Sequence, residues 1–196
     1  MSTQLTDSEI GRFNRLYEKG CNLQKDLVIL DGHPRRRPGF LGRRKLKESI
    51  QTFKEALEIH PGSWQSMYLI GKALQALGDL ESSLAWFVRA SKIEPENPSV
   101  AKEAGLCAAR LGKHLAAIRF MKPAASANPS DAGLQCNIGL SYLMSEQVVE
   151  AIASFSQAVE ADPGDKTNQS LLKMAEAVEK GATPCPRSEA EILEAM

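Results

Sequence analysis

Apolar residues recur along this chain at helical rather than strand spacing. Met67, Ile70, Gly71 and Leu74 fall at i, i+3, i+4 and i+7, on one face of a helix. Gly78 and Asp79 break the pattern, and a second stripe of Leu80, Ser83, Leu84, Phe87 and Ala90 runs on towards Pro95. Two short helices joined by a glycine turn are the predicted unit. Asn97 is placed to cap the next helix, with Pro98 in its first turn, where a missing N–H costs nothing. Gly71 and Ser83 belong where the two helices cross closely, because a larger side chain would hold the backbones apart. Phe87 and Ala90 would fill the joint to the neighbouring unit.

The unit repeats. Pro61, Pro95, Pro129 and Pro163 are spaced by 34 residues, and so are Gly71, Gly105 and Gly139. The same spacing holds for Ser49, Ser83, Ala117 and Ala151; for Phe53, Phe87, Met121 and Phe155; and for Ala56, Ala90, Ala124 and Ala158. Several columns in register at one period mark a stack of helical hairpins rather than one undivided core.

These residues resemble the tetratricopeptide repeat family, whose pattern is a bulky residue, a small glycine, an aromatic, then alanine, an aromatic, alanine and a closing proline. One unit carries Met67, Ile70, Gly71, Leu74, Ser83, Phe87, Ala90 and Pro95. The next carries Ala101, Ala104, Gly105, Ala108, Ala117, Met121, Ala124 and Pro129, and the last full unit Gln135, Ile138, Gly139, Tyr142, Ala151, Phe155, Ala158 and Pro163. The resemblance implies an all-α fold, a right-handed solenoid of antiparallel helix pairs with about four repeats and a C-terminal capping helix. The matched columns are packing positions, so they specify the fold and are silent on the partner.

The expected organisation is an N-terminal helix and basic insertion over 1–43, the repeat array over 44–163, a capping helix over 164–181, and a linker with a short tail helix over 182–196. In the first repeat the second helix is clear from Lys45 to Ile59, but no first helix lies directly upstream. Leu16, Gly20 and Leu23 reproduce its bulky–small–bulky spacing further back. Gly20 to Ser49 is 29 residues, against 12 from Gly71 to Ser83, which makes a 17-residue insertion. It would hold Asp31-Gly32-His33-Pro34 and the arginine run that follows. The alternative is that residues 7 to 30 form an unrelated leading helix. Thr6 and Glu9 make a capping box for a start near Asp7. Pro123, inside a predicted helix, is expected to kink or break it between Arg119 and Ala124. Asp165 can cap a helix bearing Leu171, Leu172, Ala175 and Val178, whose polar face would seal the end of the stack. Ser188 and Glu191 offer a capping box for a last helix.

Composition fits a single domain: 43% of the 196 residues are hydrophobic and 6% aromatic. No apolar run approaches membrane length, and the first residues lack the basic start and apolar stretch of a signal peptide. The expected setting is the cytoplasm. Cys21, Cys107, Cys136 and Cys185 show no CxxC spacing and no neighbouring histidine, so neither zinc nor a disulfide framework is expected. His33, His60 and His114 fall in no nucleophile or carboxylate constellation, and Arg37-Pro38-Gly39-Phe40-Leu41-Gly42 lacks the strand that a phosphate-cradling loop needs. No enzyme activity, cofactor or metal is expected.

In the family this chain resembles, the side of each first helix turned away from the packing stripe lines a concave groove for peptides. Carried over residue by residue, that groove would show Tyr68, Lys72 and Gln75, then Lys102, Leu106 and Arg110, then Cys136, Asn137, Leu140, Leu143 and Met144. A basic middle and an apolar end suit a peptide with an acidic end and two or three apolar anchors. Asn137 could fasten the peptide backbone through its amide. For Leu140 and Met144, burial under the C-terminal helix is the competing reading. Tyr68 and Leu106 stand where a chaperone-tail clamp would need polar residues, so that adaptor role is not expected.

Charge is uneven along the chain. Residues 1–47 carry 11 basic and 5 acidic side chains, and residues 148–196 carry 4 and 9. Arg35, Arg36, Arg37, Arg43 and Arg44, with Lys45 and Lys47, form a candidate anion patch. Little aromatic interleaves with them beyond Phe40, so a specific nucleic-acid reader is not expected. The leading expectation is a non-catalytic scaffold or adaptor that binds a partner protein or peptide. The alternatives are a secretion-type chaperone for a partner segment, or an anion or nucleic-acid binder using residues 35–47. Self-association stays open, since the tail, with its acids beside Ile192 and Leu193, could fold into its own groove or a second copy's. The other outcome is a loosely ordered terminus.

Overall fold

A computed structural model describes residues 5–29 and 38–195, and every regular element among them is helical. The chain divides into two units, Met1–Glu103 and Ala104–Met196. The first holds α1 (Asp7–Gln24), α2 (Phe40–Ile59), α3 (Trp64–Leu77), α4 (Leu80–Ile93) and the first half of α5 (Pro98–Arg110). The second takes the rest of α5, then α6 (His114–Ala127), α7 (Ala132–Leu143), α8 (Val148–Ala161), α9 (Lys166–Glu179) and α10 (Glu189–Ala195).

Helices α1, α3, α4, α5, α7 and α9 begin where a short polar side chain holds the first unbonded amides, whereas α2, α6 and α8 start without a side-chain cap. Thr6 and Glu9 form a complete capping box on α1. Ser63 and Asp79 cap α3 and α4, Asn97 accepts from Ser99 and Val100, and Asp131 and Asp165 cap α7 and α9. Gly78 closes α3 in the left-handed region at φ 88°, which a side chain would disfavour. The backbone amide of Glu191 bonds the Ser188 hydroxyl as α10 starts.

In the first unit the two hairpins close on the same lock. A Cβ added to Gly71 would stand 2.6 Å from the Phe87 ring, and one on Gly20 2.6 Å from Phe53. The Ser83 hydroxyl donates to the Gly71 carbonyl at 2.8 Å, and the Ser49 hydroxyl to the Gly20 carbonyl at 3.0 Å. α1 therefore packs on α2 as α3 packs on α4, although the chain between their lock residues is far longer. Residues 30–37 of the expected insertion, with Arg35, Arg36 and Arg37, lie outside the described residues. α2 begins at Phe40, earlier than Lys45, and puts Arg43 and Arg44 on a helix.

The second unit repeats the lock without the serine. Gly105 receives Met121 and Gly139 receives the Phe155 ring, while Ala117 and Ala151 fill the serine column. α6 shows no break at Pro123, since the helix runs on from His114 to Ala127. Pro123 and Arg119 are both exposed, so the Arg119 carbonyl that loses its amide partner faces water rather than a core.

Candidate functional site

In the first unit the inner face of α3 is closed rather than open. Lys72, expected to line a groove, is 1% exposed, and its Nζ lies 2.9 Å from Glu103 Oε1. Gln75 is also buried and donates to Glu103 Oε2 at 2.8 Å, so both carboxylate oxygens are held from α3. Tyr68 is buried as well and sits 5.6 Å from the Phe87 ring. Gln24, at the end of α1, reaches the Leu69 carbonyl at 2.9 Å from the buried side. Of the expected basic middle, Lys72 is therefore turned into the fold rather than towards a ligand. A cation that far from water needs a counter-charge, and Glu103 brings one from α5, the first helix of the following hairpin. Glu103 gave one weak signal in the sequence: with Lys102 it interrupts the small and apolar run of Val100, Ala101, Ala104, Gly105 and Leu106. Lys102, half-buried, stays nearer the surface.

In the second unit Leu106 is buried and Arg110 is exposed at the end of α5. On α7, Cys136, Asn137, Leu140 and Met144 are half-buried and Leu143 is fully covered. Asn137 gives one amide hydrogen to the Gly133 carbonyl at 2.7 Å, within its own helix. What lies against this face is the chain's own end. The Cys185 thiol donates to the Leu143 carbonyl at 3.4 Å, and Pro186 and Ile192 are buried. Between α9 and the tail is a cleft of about 580 Å³, with Ser170, Met174 and Ala177 on one wall and Pro184, Pro186 and Glu191 on the other. Lys173 and Glu194 border it too, opposite in charge. A larger trough, about 890 Å³, runs on the other side of this unit between α6 and α8, with Gln135, Ile138 and Tyr142 of α7 as its floor. The sequence reading singled out no residue of that trough as a site, because its rims are small residues such as Ala125, Ser126 and Ser154 that carry no chemical signature.

Burial pushes the Cys136 thiol from the ordinary 9.0 up to about 11, and Asp165 adds to the shift by disfavouring a second negative charge. The neutral thiol is thus the form the fold prefers. Its contribution to stability is whole below pH 9.0, where the unfolded thiol also keeps its proton, and is lost as pH rises through about 11. Iodoacetamide is expected to label Cys136 slowly at neutral pH and faster as pH climbs towards 11, read by mass spectrometry of the intact fold. Prompt labelling at neutral pH would show that this wall opens to water. None of the four cysteines is in a disulfide, and among the described residues no cluster of His, Cys, Asp and Glu is placed to hold a metal ion. No described helix is long and apolar enough to cross a membrane.

A glycine locked against an aromatic ring or methionine, repeated through successive helical hairpins, defines a helical-repeat protein. The family model for the tetratricopeptide repeat matches residues 39–98 and 103–166, and the chain belongs to that family. Its fold is shared with solved structures of low sequence identity. MamA 41-end from Desulfovibrio magneticus RS-1 superposes with a TM-score of 0.70 at 18% identity, covering 98% of this chain and 97% of that one. YrrB, described as a repeat protein with an unusual peptide-binding site, gives 0.71 at 17% identity, with 96% and 86% covered. PilF of Pseudomonas aeruginosa gives 0.62 at 14% identity, with 91% and 74% covered. At such identities the likeness speaks for the fold. No curated protein sequence matches the chain.

Proposed function

We propose that this chain is a non-catalytic adaptor that binds a segment of a partner protein on the inner faces of α7 and α9, and that its own tail holds this seat until the partner displaces it. The observation that carries the reading is the tail's placement: Pro186 is buried beside the α9 wall of Ser170, Met174 and Ala177, and the Cys185 thiol meets the Leu143 carbonyl of α7. A segment with one or two apolar anchors and neighbouring acids matches the tail's own chemistry, and Lys173 would meet the acids. Cys136, Asn137, Leu140 and Met144 would border the same seat. Tyr68, Lys72 and Gln75 drop out of the contact surface, their side chains being spent on packing and on Glu103. A cytoplasmic setting belongs to the proposal, and unbridged cysteines agree with it.

A tail tethered by a short linker competes at high effective concentration, so removing it should unmask the seat. Truncation after Gly181 is expected to raise the affinity for a labelled peptide of residues 182–196 by about tenfold or more over the full chain. Met174→Glu in the truncated chain should abolish that gain by putting a charge on the apolar wall. Equal peptide binding by full and truncated chains, with the helical signal unchanged, would end the proposal.

A further inference from the structure

The second helix of the first hairpin is too long for its repeat. α2 has 20 residues, whereas α4, α6 and α8 have 14 each, and the surplus lies at its start, before Leu46. This extra segment begins with the two most exposed large apolar side chains of the described residues: Phe40 is 83% exposed and Leu41 71%. Burying them elsewhere in the fold was open to the sequence, yet the helix carries them outward. Behind them the helix is cationic. Arg43, Arg44, Lys45 and Lys47 are all exposed, and the sequence holds no acid from Gly32 to Lys47.

The cations fan to both sides of the helix. On one side Lys45 joins Arg15 and Lys19 of α1 around a shallow cleft, with Glu18 the acid among its lining residues. On the other, Arg43, Lys47 and Lys54 border a cleft of about 370 Å³ against Leu74 and Leu77, with Asp79 beside it. Glu48 is turned to Lys19 at 3.3 Å. The outermost turn is therefore an apolar pair ringed by positive charge, with the compensating acids set back from it. Leu27 and Pro38 pack beside Gly42 beneath that turn, which holds it against the hairpin.

We infer that this end of α2 docks on an anionic lipid surface, with Phe40 and Leu41 entering the headgroup layer and Arg43, Arg44 and Lys47 pairing with phosphates. Two adjacent apolar side chains, one of them without a stacking face, match the interfacial layer of a bilayer better than a nucleic-acid backbone. Cations just behind them sit at the depth where lipid phosphates lie. Charge attracts the chain to the surface and the apolar pair retains it, so each half alone gives weak binding. This docking is peripheral, and it is independent of the peptide seat in the second unit.

The full chain is to be sedimented with vesicles of phosphatidylcholine alone, and of phosphatidylcholine and phosphatidylglycerol in equal parts. Binding is expected only to the anionic vesicles, to weaken with salt, and to fall by about tenfold or more in both Phe40→Ser/Leu41→Ser and Arg43→Glu/Arg44→Glu chains. All these side chains are exposed, so thermal melting should be unchanged and should separate lost docking from lost folding. A Phe40→Trp chain should be quenched by brominated lipid. Failure to bind anionic vesicles overturns the inference. So does binding that ignores Phe40 and Leu41, or a single-stranded RNA bound more tightly than the vesicles.

Discussion

Replacing Glu103 with alanine is expected to destabilise the first unit by about 3–5 kcal/mol, because it takes away a fully buried carboxylate that is paired with the Lys72 ammonium. Lys72 and Glu103 are each 1% exposed and 2.9 Å apart, so water neither screens the pair nor can replace the missing carboxylate. Gln75 loses a bond at the same time, since its amide donates to the second oxygen. The chain's alternatives are to drag Lys72 towards solvent, opening the inner face of α3, or to bury it as the neutral amine. Replacing both partners is a different matter. Lys72→Met with Glu103→Leu removes both desolvation costs and keeps the volume filled, and should recover most of the loss, falling short by about the cost of the Gln75 bond. Urea unfolding followed by circular dichroism measures both. A Glu103→Ala chain within about 1 kcal/mol of the original would mean that water already reaches this pair.

The same pair shows where the sequence stops being readable. The lock columns were legible because they repeat: a glycine must face an aromatic or methionine in every hairpin, and the 34-residue period exposes the demand. Even α1 could be recovered from Leu16, Gly20 and Leu23, since the lock sets which residues meet whatever the length of chain between them. Lys72 carried no such redundancy. Its place on the helix face was right, but its exposure depended on a residue 31 positions on, and a single carboxylate among alanines has no periodic echo. The absence of a break at Pro123 has a related reason. The lost hydrogen bond was visible in the sequence, and the exposure of the Arg119 turn, which lets water take the vacated carbonyl, was not. Leu143 was placed on an open wall because the tail that reaches its carbonyl is distant in sequence and belongs to no repeat.

Leucine at Gly139 should cost more than leucine at Gly105, although both replace the same column glycine. At Gly139 even a bare Cβ would come within 2.7 Å of Phe155 Cδ1 and Cε1, and Phe155 is fully buried. A phenyl ring turns about two bonds only and sweeps a wide arc, so the helices themselves must part. At Gly105 the obstacles are the Met121 side chain and, at 3.2 Å, the Ala117 carbonyl. Methionine bends about three bonds and can refill the gap that it vacates, which absorbs part of the added volume. Overpacking of this kind costs about 1–3 kcal/mol, and Gly139→Leu belongs at the top of that range or above it. For a chain of this length each kcal/mol moves the melting temperature by about 2–4 °C, so the two variants should be separable in one calorimetric series. Trimming the ring restores room: Phe155→Leu is expected to recover part of the Gly139→Leu loss and none of the Gly105→Leu loss. Equal costs at the two glycines, or no rescue at Phe155, would show that backbone approach rather than the facing side chain sets the requirement for glycine. In that case the residue paired with each glycine would be free to vary, and the aromatic column would owe its period to the neighbouring hairpin instead.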